Sequence, residues 1–212
     1  EQILTRAKLP EILRCIKPKT LIYSLYIQGI EKILYDAITA AGWKVGFYTG
    51  DDKSGLDDFI NGNVDVLIGT DAIGTGVDGL QRVCDQLIVN VLPWTAAGYE
   101  QLKGRIYRQG QTSDKVTVII PTTYAEVGGE RWSWCDYKWR RVQFKKSLAD
   151  AAVDGIVPEG HLRSPAQAYK DAMDWLERLD RDGVYRTTRP QIVTDLLDVE
   201  DDGHQSRKAR YG

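Results

Sequence analysis

Two arginines three residues apart, Arg105 and Arg108, are the side chains whose spacing points most clearly to chemistry. We expect a helix from Thr95 to about Arg108, on which both guanidinium groups share one face with Gln101. Neighbouring guanidinium groups repel each other, so the pair predicts a shared anion such as a phosphate or a carboxylate. A solvated basic face is the alternative, but Gly104, the flanking glutamines and the position between two buried strands favour the anion.

A glycine-rich segment with the sequence GTGVDG occupies residues 74–79. This GxGxxG pattern also occurs in dinucleotide-binding loops, but those loops lead directly into a helix. The next strand is predicted to begin near Gln86, which leaves no room for that helix, so we disfavour a dinucleotide site. A turn that simply requires glycine does not explain the polar side chains around it. These side chains favour a ligand-binding loop at the end of a strand, and they are Thr70, Asp71, Asp78 and Gln81.

The elements that position these residues alternate between strands and helices over about residues 19–121. Apolar runs predict buried strands, and apolar residues at helical spacing predict the helices between them. This alternation predicts an α/β fold, a mainly parallel sheet with helices on both faces. The predicted strands are 19–26, 44–48, 64–68, 86–90 and 116–120, and the predicted helices are 2–17, 28–41, 56–61 and 95–108. Pro10 weakens the first helix and predicts a break or a late start there.

Beyond Thr122 the pattern predicts helices only, at 130–154 and 165–182, and then a charged tail. We therefore divide the chain into an α/β lobe (1–121), a helical extension packed on it (122–190) and a flexible acidic and basic tail (191–212). The first extension helix carries aromatic residues among basic ones, including Lys145 and Lys146. Packing against the lobe is one interpretation. A nucleic-acid surface, with stacking aromatics and phosphate-binding lysines, is the other.

The bulk properties of the chain limit its class. Its 212 residues carry a net charge of −2, so any phosphate-binding surface must be local rather than global. The three cysteines are scattered and form no zinc-binding pair, so we predict no metal site and a reducing, intracellular location, cytoplasmic or nucleoid/nuclear. No apolar run approaches a membrane span, so no membrane partner is expected. The absence of an initiator methionine suggests a piece of a longer protein.

Together these segments resemble the C-terminal RecA-like lobe of superfamily-two helicases, and most closely that of the Swi/Snf-type DNA translocases. TLIYSLY at 20–26 resembles motif IV, and IGTDAIGTGVD at 68–78 resembles motif V. VLPWTAAGYEQLKGRIYRQGQ at 91–111 resembles a proline–tryptophan turn followed by motif VI, the most specific of the three. Asp78, Gly104 and Tyr107 stand where Swi/Snf proteins commonly have Asn, an acidic residue and His, so duplex translocation and strand separation both remain open.

The resemblance implies a role for individual residues. Arg105 and Arg108 match arginines that reach the γ-phosphate of ATP held on another lobe, where an arginine finger accelerates phosphoryl transfer. The residues implied at the nucleotide are Gly76, Asp78, Gln101 and Gln111. The residues implied at the nucleic acid are Ser24, Thr49, Gly50, Thr70 and Asp71, in addition to Lys145 and Lys146 of the extension.

The sequence lacks other parts of an ATPase. It contains no GxxxxGK[ST] loop for the phosphates and no DExH-type acidic pair for magnesium. The resemblance therefore implies that ATP and Mg²⁺ are held mainly by an N-terminal RecA-like lobe of the same parent chain. It also implies DNA as the partner, duplex rather than single-stranded DNA or RNA, and no ATPase activity of these residues alone. A non-catalytic nucleic-acid- or protein-binding module and a cofactor-dependent metabolic domain are the alternatives.

Overall fold

The computed structural model of the chain describes residues 1–26, 28–154, 170, 173–174, 176–178, 181, 184–187 and 191–196. The helices are α1 (Gln2–Cys15), α2 (Ile30–Ala40), α3 (Gly55–Asn61), α4 (Ala72–Gly76), α5 (Ala96–Lys103) and α6 (Trp134–Asp154). The strands are β1 (Thr20–Ser24), β2 (Val45–Tyr48), β3 (Val66–Gly69), β4 (Gln86–Val91), β5 (Lys115–Ile120), β6 (Thr123–Val127), β7 (Glu130–Trp132), β8 (Val184–Thr187) and β9 (Gln191–Leu196).

The main sheet has the strand order β2-β3-β1-β4-β5-β9. Its first five strands pair in parallel, and β9 adds to β5 in antiparallel orientation. The α/β class and the mainly parallel sheet predicted from the sequence are thus confirmed. Because β1, β3 and β4 are neighbours and run in the same direction, the loops that follow them meet at one edge of the sheet.

Alternate residues of the strands line two separate cores. In β1, Leu21 and Tyr23 face the core that contains α3 and α5, whereas Ile22 faces the core that contains α1 and α2. This alternation follows from the two-residue period of a strand, and it explains why both faces read as apolar in the sequence. Helix α1 continues through Pro10, so the predicted break is absent, because residues such as Ile12 with no exposed surface anchor the helix to the sheet.

Two helix predictions around the glycine-rich segment were wrong. Five residues, Ala72–Gly76, form the short helix α4 where we expected no helix. Helix α5 begins as predicted, with the Thr95 side chain accepting a hydrogen bond from the Gly98 amide at 3.1 Å, but it ends at Lys103. Arg105 and Arg108 therefore lie in the turns after the helix rather than on a helical face. Contacts of Arg105 with backbone carbonyls, described below, stabilise those turns.

We predicted helices only beyond Thr122, but this region also contains strands. Strands β6 and β7 form a hairpin, with Gly128 and Gly129 both at positive φ (58° and 80°), a backbone conformation that favours glycine. Helix α6 consequently begins at Trp134 and not at residue 130. Strand β8 pairs with the other side of β6. The described residues between 170 and 181 are helical, and the remainder of the predicted 165–182 helix lies outside the described residues.

The tail predicted to be flexible, residues 191–212, begins with a strand. Its first six residues form β9, which pairs with β5 from Lys115↔Leu196 to Ile120↔Gln191. Residues 197–212 lie outside the described residues. The antiparallel partner covers the edge of β5 that the parallel strands leave unpaired.

Candidate functional site

The carboxyl ends of β1, β3 and β4 bring the predicted site residues to one edge of the sheet. Chain segments separated by dozens of residues meet there, since Tyr23 pairs in register with Gly69 on one side and Val89 on the other. The glycine-rich segment 74–79 lies shortly after β3 and includes the end of α4, and the arginine segment follows α5. The two segments contact each other, which the sequence spacing alone did not show.

Arg105 anchors the glycine-rich segment through its backbone. Its guanidinium donates hydrogen bonds to the carbonyl oxygens of Gly74 and, at 3.4 Å, Val77. These two carbonyls bracket the carboxyl end of α4, which leaves carbonyl groups without helical partners. Arg105 is half-buried in this position. Its planar fork of donors fixes the segment more firmly than a single ammonium group could.

Arg108 forms an ion pair with Asp78 on the outside of the same segment. Its side chain is 35% exposed and that of Asp78 is 75% exposed, so both groups are accessible to a ligand. Gln81 also donates a hydrogen bond to the Asp78 carboxylate at 3.3 Å. The Gln81 amide, the Gly79 backbone amide and the Arg108 guanidinium all lower the pKa of Asp78, in that order of importance. Gly79 adopts φ 91°, which non-glycine residues rarely do.

The remaining residues predicted at the nucleotide occupy different surroundings. Gln111 donates hydrogen bonds to the carbonyls of Cys84 (3.0 Å) and Ile106 (2.8 Å), and its own oxygen accepts from the Thr112 and Ser113 amides. The structure thus uses both ends of this side chain to hold the arginine segment. Gly76 is exposed at the end of α4. Gln101 is exposed as well and lines a cleft rather than the arginine pair.

That cleft lies at the carboxyl edge of the sheet and has a volume of about 380 Å³. We refer to it as the carboxyl-edge cleft. Its wall combines hydroxyl, amide and aromatic groups with the Asp71 carboxylate, and none of its lining residues is a lysine or an arginine. The lining residues are Tyr23, Leu25, Asp71, Gly74, Thr75, Pro93, Trp94, Thr95, Gly98, Gln101 and Leu102.

The residues predicted at the nucleic acid are only partly brought together. Asp71 lines the cleft and accepts a hydrogen bond from the Tyr23 hydroxyl. Burial, followed by this carboxylate, raises the pKa of Tyr23, so the phenol stays protonated and keeps Asp71 oriented. Thr70 lies beside Asp71 at the end of β3. Ser24 is buried and donates to the Tyr26 carbonyl at 2.7 Å.

The loop after β2 is closed by its own hydrogen bonds. The Asp52 amide donates to the hydroxyl oxygen of Thr49 at 3.0 Å, and Thr49 itself is buried. Gly50, next to it, is exposed. Gly50 is therefore open to contact from outside, whereas the buried Thr49 side chain is not.

Lys145 and Lys146 both contact the α/β lobe. Lys145 donates to the Trp94 carbonyl at 3.2 Å, and Lys146 forms an ion pair with Glu100 of α5 at 3.0 Å. Tyr99 and Trp139 pack edge to face between the same two helices, with ring centroids 5.0 Å apart. These contacts favour the packing interpretation of α6 over a free basic surface.

Three residues of this region were not among the predicted site residues. Gln81 was noticed only as part of a polar cluster, although it orients Asp78. Trp94 belonged to the proline–tryptophan turn, and its exposure in a cleft is a tertiary property. Lys138 is buried beside Trp94, and its position in a helix of mixed aromatic and basic residues gave no local signal for this contact.

In the described part of the chain, none of the helices is both long and apolar enough to cross a membrane. In the same residues, no group of three or more His, Cys, Asp or Glu side chains is arranged to hold a metal ion.

The class of domain is defined by the parallel α/β sheet and by an arginine segment docked on a glycine-rich loop. Residues 5–110 match the model of the helicase conserved C-terminal domain, and the chain belongs to this family. A similar curated protein is the uncharacterized ATP-dependent helicase YqhH of Bacillus subtilis (strain 168), 30% identical over 110 residues. That alignment covers 49% of this chain and 19% of the relative, so the chain spans about a fifth of the relative's length.

Solved structures show weaker likeness. The C-terminal domain of S. cerevisiae Dbp5 is 16% identical, with 84% of this chain and 94% of that chain covered and a TM-score of 0.48. A DEAD box protein from Methanococcus jannaschii is 18% identical, with 68% and 37% covered and a TM-score of 0.48. The C-terminal part of the Fun30 ATPase domain is 21% identical, with 53% and 38% covered and a TM-score of 0.45.

Proposed function

We propose that this chain is the second motor lobe of an ATP-dependent DNA helicase or translocase, in which it supplies an arginine finger and nucleic-acid contacts. The observation that carries the proposal is the docking of Arg105 and Arg108 on the loop 74–79. In this proposal a first RecA-like lobe of the same parent chain holds most of the ATP and Mg²⁺, in an intracellular protein.

The two arginines have different tasks in this proposal. Arg105 is half-buried and engaged by two carbonyls, so it positions the loop. Among the described residues the Arg108 guanidinium pairs only with the exposed Asp78, and a phosphate can replace or join that carboxylate as its partner. Arg108 is therefore the finger. A guanidinium at a reacting γ-phosphate stabilises charge on its equatorial oxygens.

Asp78 and Gln81 prepare Arg108 for this task. The Asp78 carboxylate is charged at neutral pH, and its ion pair with Arg108 holds the guanidinium near the loop before any nucleotide binds. ATP supplies the phosphoryl group, while the residues of this chain orient the guanidinium and offer the Asp78 carboxylate to a ribose hydroxyl. Neither task requires the phosphate-binding loop that the sequence lacks.

Nucleic acid is proposed to bind at the carboxyl-edge cleft. The cleft offers the hydroxyls of Thr75 and Thr95, the amide of Gln101 and the exposed ring of Trp94. Hydroxyls and amides bind the sugar–phosphate backbone without selecting a sequence. Since the cleft lacks lysine and arginine, few counterions should be released there, and its contribution to the salt dependence of binding should be small. The preference for DNA over RNA derives from the Swi/Snf-like sequence 91–111.

The finger role is tested by ATP hydrolysis of the intact parent protein, with and without duplex DNA. We expect the Arg108→Ala variant to lower DNA-stimulated kcat by about a hundredfold or more. Arg14→Ala is the matched control, because Arg14 is an ion-paired arginine on α1, remote from the site. If Arg108→Ala hydrolyses ATP as fast as the control, Arg108 is structural.

A non-catalytic binding module remains the second candidate, and Gln111 favours it, since that side chain is fully used in internal hydrogen bonds. The two candidate functions predict different activities for the intact parent protein. A parent that binds DNA but shows no ATP hydrolysis under any condition supports the module. The 212 residues by themselves are expected to show no ATPase activity in either case, and turnover above an Arg105→Ala/Arg108→Ala control would contradict the lobe assignment.

A further inference from the structure

Helix α6 lies outside the family match at residues 5–110, yet three of its side chains converge on Trp94 inside that match. The Lys138 ammonium lies 4.2 Å from the centroid of the Trp94 ring. The Trp134 ring meets the Trp94 ring edge to face, with centroids 6.0 Å apart and an interplanar angle of 75°. Lys145 donates to the Trp94 carbonyl at 3.2 Å. The helix therefore holds both the ring and the backbone of this residue.

A further contact fixes the indole through its N–H group. The indole N–H of Trp94 donates to the Tyr26 hydroxyl at 2.8 Å, and the Lys138 ammonium is 5.7 Å from the Tyr26 ring. Trp94 nevertheless remains 39% exposed and lines the carboxyl-edge cleft. An aromatic side chain that is exposed but held by several neighbours is suited to contact a ligand, since little conformational entropy remains to be lost on binding.

Lys138 is the unusual member of this group. It is only 2% exposed, and its ammonium has no hydrogen-bond partner among the described residues. The faces of the Trp94 and Tyr26 rings lie beside the ammonium, and the Glu1 carboxylate also attracts it. A buried lysine without a hydrogen bond lowers stability, and costly groups of this kind tend to occur where function requires them.

We propose that α6 positions Trp94 as a fixed wall of the carboxyl-edge cleft, and that Lys138 is the positioning residue that couples this helix to the cleft. In this way α6 sets the affinity of the cleft for its ligand, and Lys138 itself does not contact that ligand. What the cleft binds rests on the proposed function, whereas the coupling between Lys138 and Trp94 does not.

The test uses the full 212-residue chain and two measurements. The first is the affinity for a fluorescent 20-base-pair DNA duplex, in the wild type and the Lys138→Met, Lys138→Arg, Trp94→Ala and double Lys138→Met/Trp94→Ala variants. The second is the ¹⁹F NMR signal of Trp94 in protein labelled with 5-fluorotryptophan, assigned with Trp94→Phe. Arg140→Met is the matched control, since Arg140 is an exposed cation of the same helix, paired with Asp136.

We expect Lys138→Met to shift the Trp94 signal and to weaken DNA binding by about fivefold, equivalent to about 1 kcal/mol for one cation–π contact. Lys138→Arg should restore most of the affinity because arginine also binds aromatic faces. In the double variant, the effect of Lys138→Met should disappear, which a merely structural role would not produce.

The possible outcomes distinguish the positioning role of Lys138 from the nucleic-acid binding proposed for the cleft. An unchanged Trp94 signal in Lys138→Met, with the protein folded by circular dichroism, overturns the positioning role whether or not DNA binds. Equal weakening by Lys138→Met with and without Trp94 also overturns it. A shifted Trp94 signal in a chain that binds no DNA supports the coupling and removes the nucleic-acid function proposed for the cleft.

Discussion

Replacing Lys138 by methionine should make the protein more stable at neutral pH. Burial lowers the pKa of Lys138 from 10.5 to about 8. Below pH 8 the ammonium is charged in both the folded and the unfolded chain, and burying this charge lowers stability by at most about 3 kcal/mol for a shift of this size. Methionine fills a similar volume without a charge, but it forfeits cation–π contacts worth about 1–2 kcal/mol. We therefore expect a net gain of about 1–2 kcal/mol at pH 7.

The pH dependence of this gain gives a sharper test. Between pH 8 and 10.5 the unfolded wild-type chain retains the Lys138 proton that the folded chain has lost. The unfolded state then binds more protons, so the wild type gains stability as pH rises through this window. The advantage of Lys138→Met should shrink accordingly. The other titratable groups near this side chain, Glu1, Lys8, Cys135 and Tyr26, are the same in both proteins.

The assay is urea unfolding followed by circular dichroism at pH 7.0 and 9.5. Arg140→Met serves again as control, and its free energy of unfolding should stay within about 0.5 kcal/mol of the wild type. A Lys138→Met variant that is less stable than the wild type at pH 7 would refute the reasoning. A gain that does not change with pH would show that the charge of Lys138 is not its source.

Two further predictions concern the arginine segment and the basic residues of α6. Gln111→Ala should lower the free energy of unfolding by about 2 kcal/mol, because two donated and two accepted hydrogen bonds are lost. The control Gln109→Ala replaces an exposed glutamine and should change the free energy of unfolding by less than about 0.5 kcal/mol in the same urea assay. If the basic face of α6 binds DNA, Lys145→Ala with Lys146→Ala should weaken binding and reduce the slope of log K against log salt by up to about 2, since each lysine neutralises at most one phosphate. A titration in which the slope stays unchanged would show that both lysines serve only the packing of α6.

The sequence by itself determined the α/β lobe. Buried strands such as TLIYS and QLIVNV read as apolar runs, and the helices between them showed apolar residues at helical spacing. These signals are local, because they depend on the period of a strand or a helix. The cap of α5 at Thr95 was equally local and was placed correctly. The paired glycines 128–129 were a local hairpin signal too, and it was overlooked.

Only the tertiary structure decided which side chains meet. The sequence pattern predicted that α5 continues to Arg108, but the helix ends at Lys103. Arg105 instead donates hydrogen bonds to the carbonyls of Gly74 and Val77, about 30 residues earlier in the chain. Such contacts depend on the order of the strands in the sheet, which local periodicity does not contain.

The same reason explains Lys138. Its place in α6 looks like that of any basic residue in a mixed helix, and its burial results from the docking of that helix beside Trp94, 44 positions away in the chain. Whether a lysine is solvated or enclosed depends on what packs over it, and therefore on the fold as a whole.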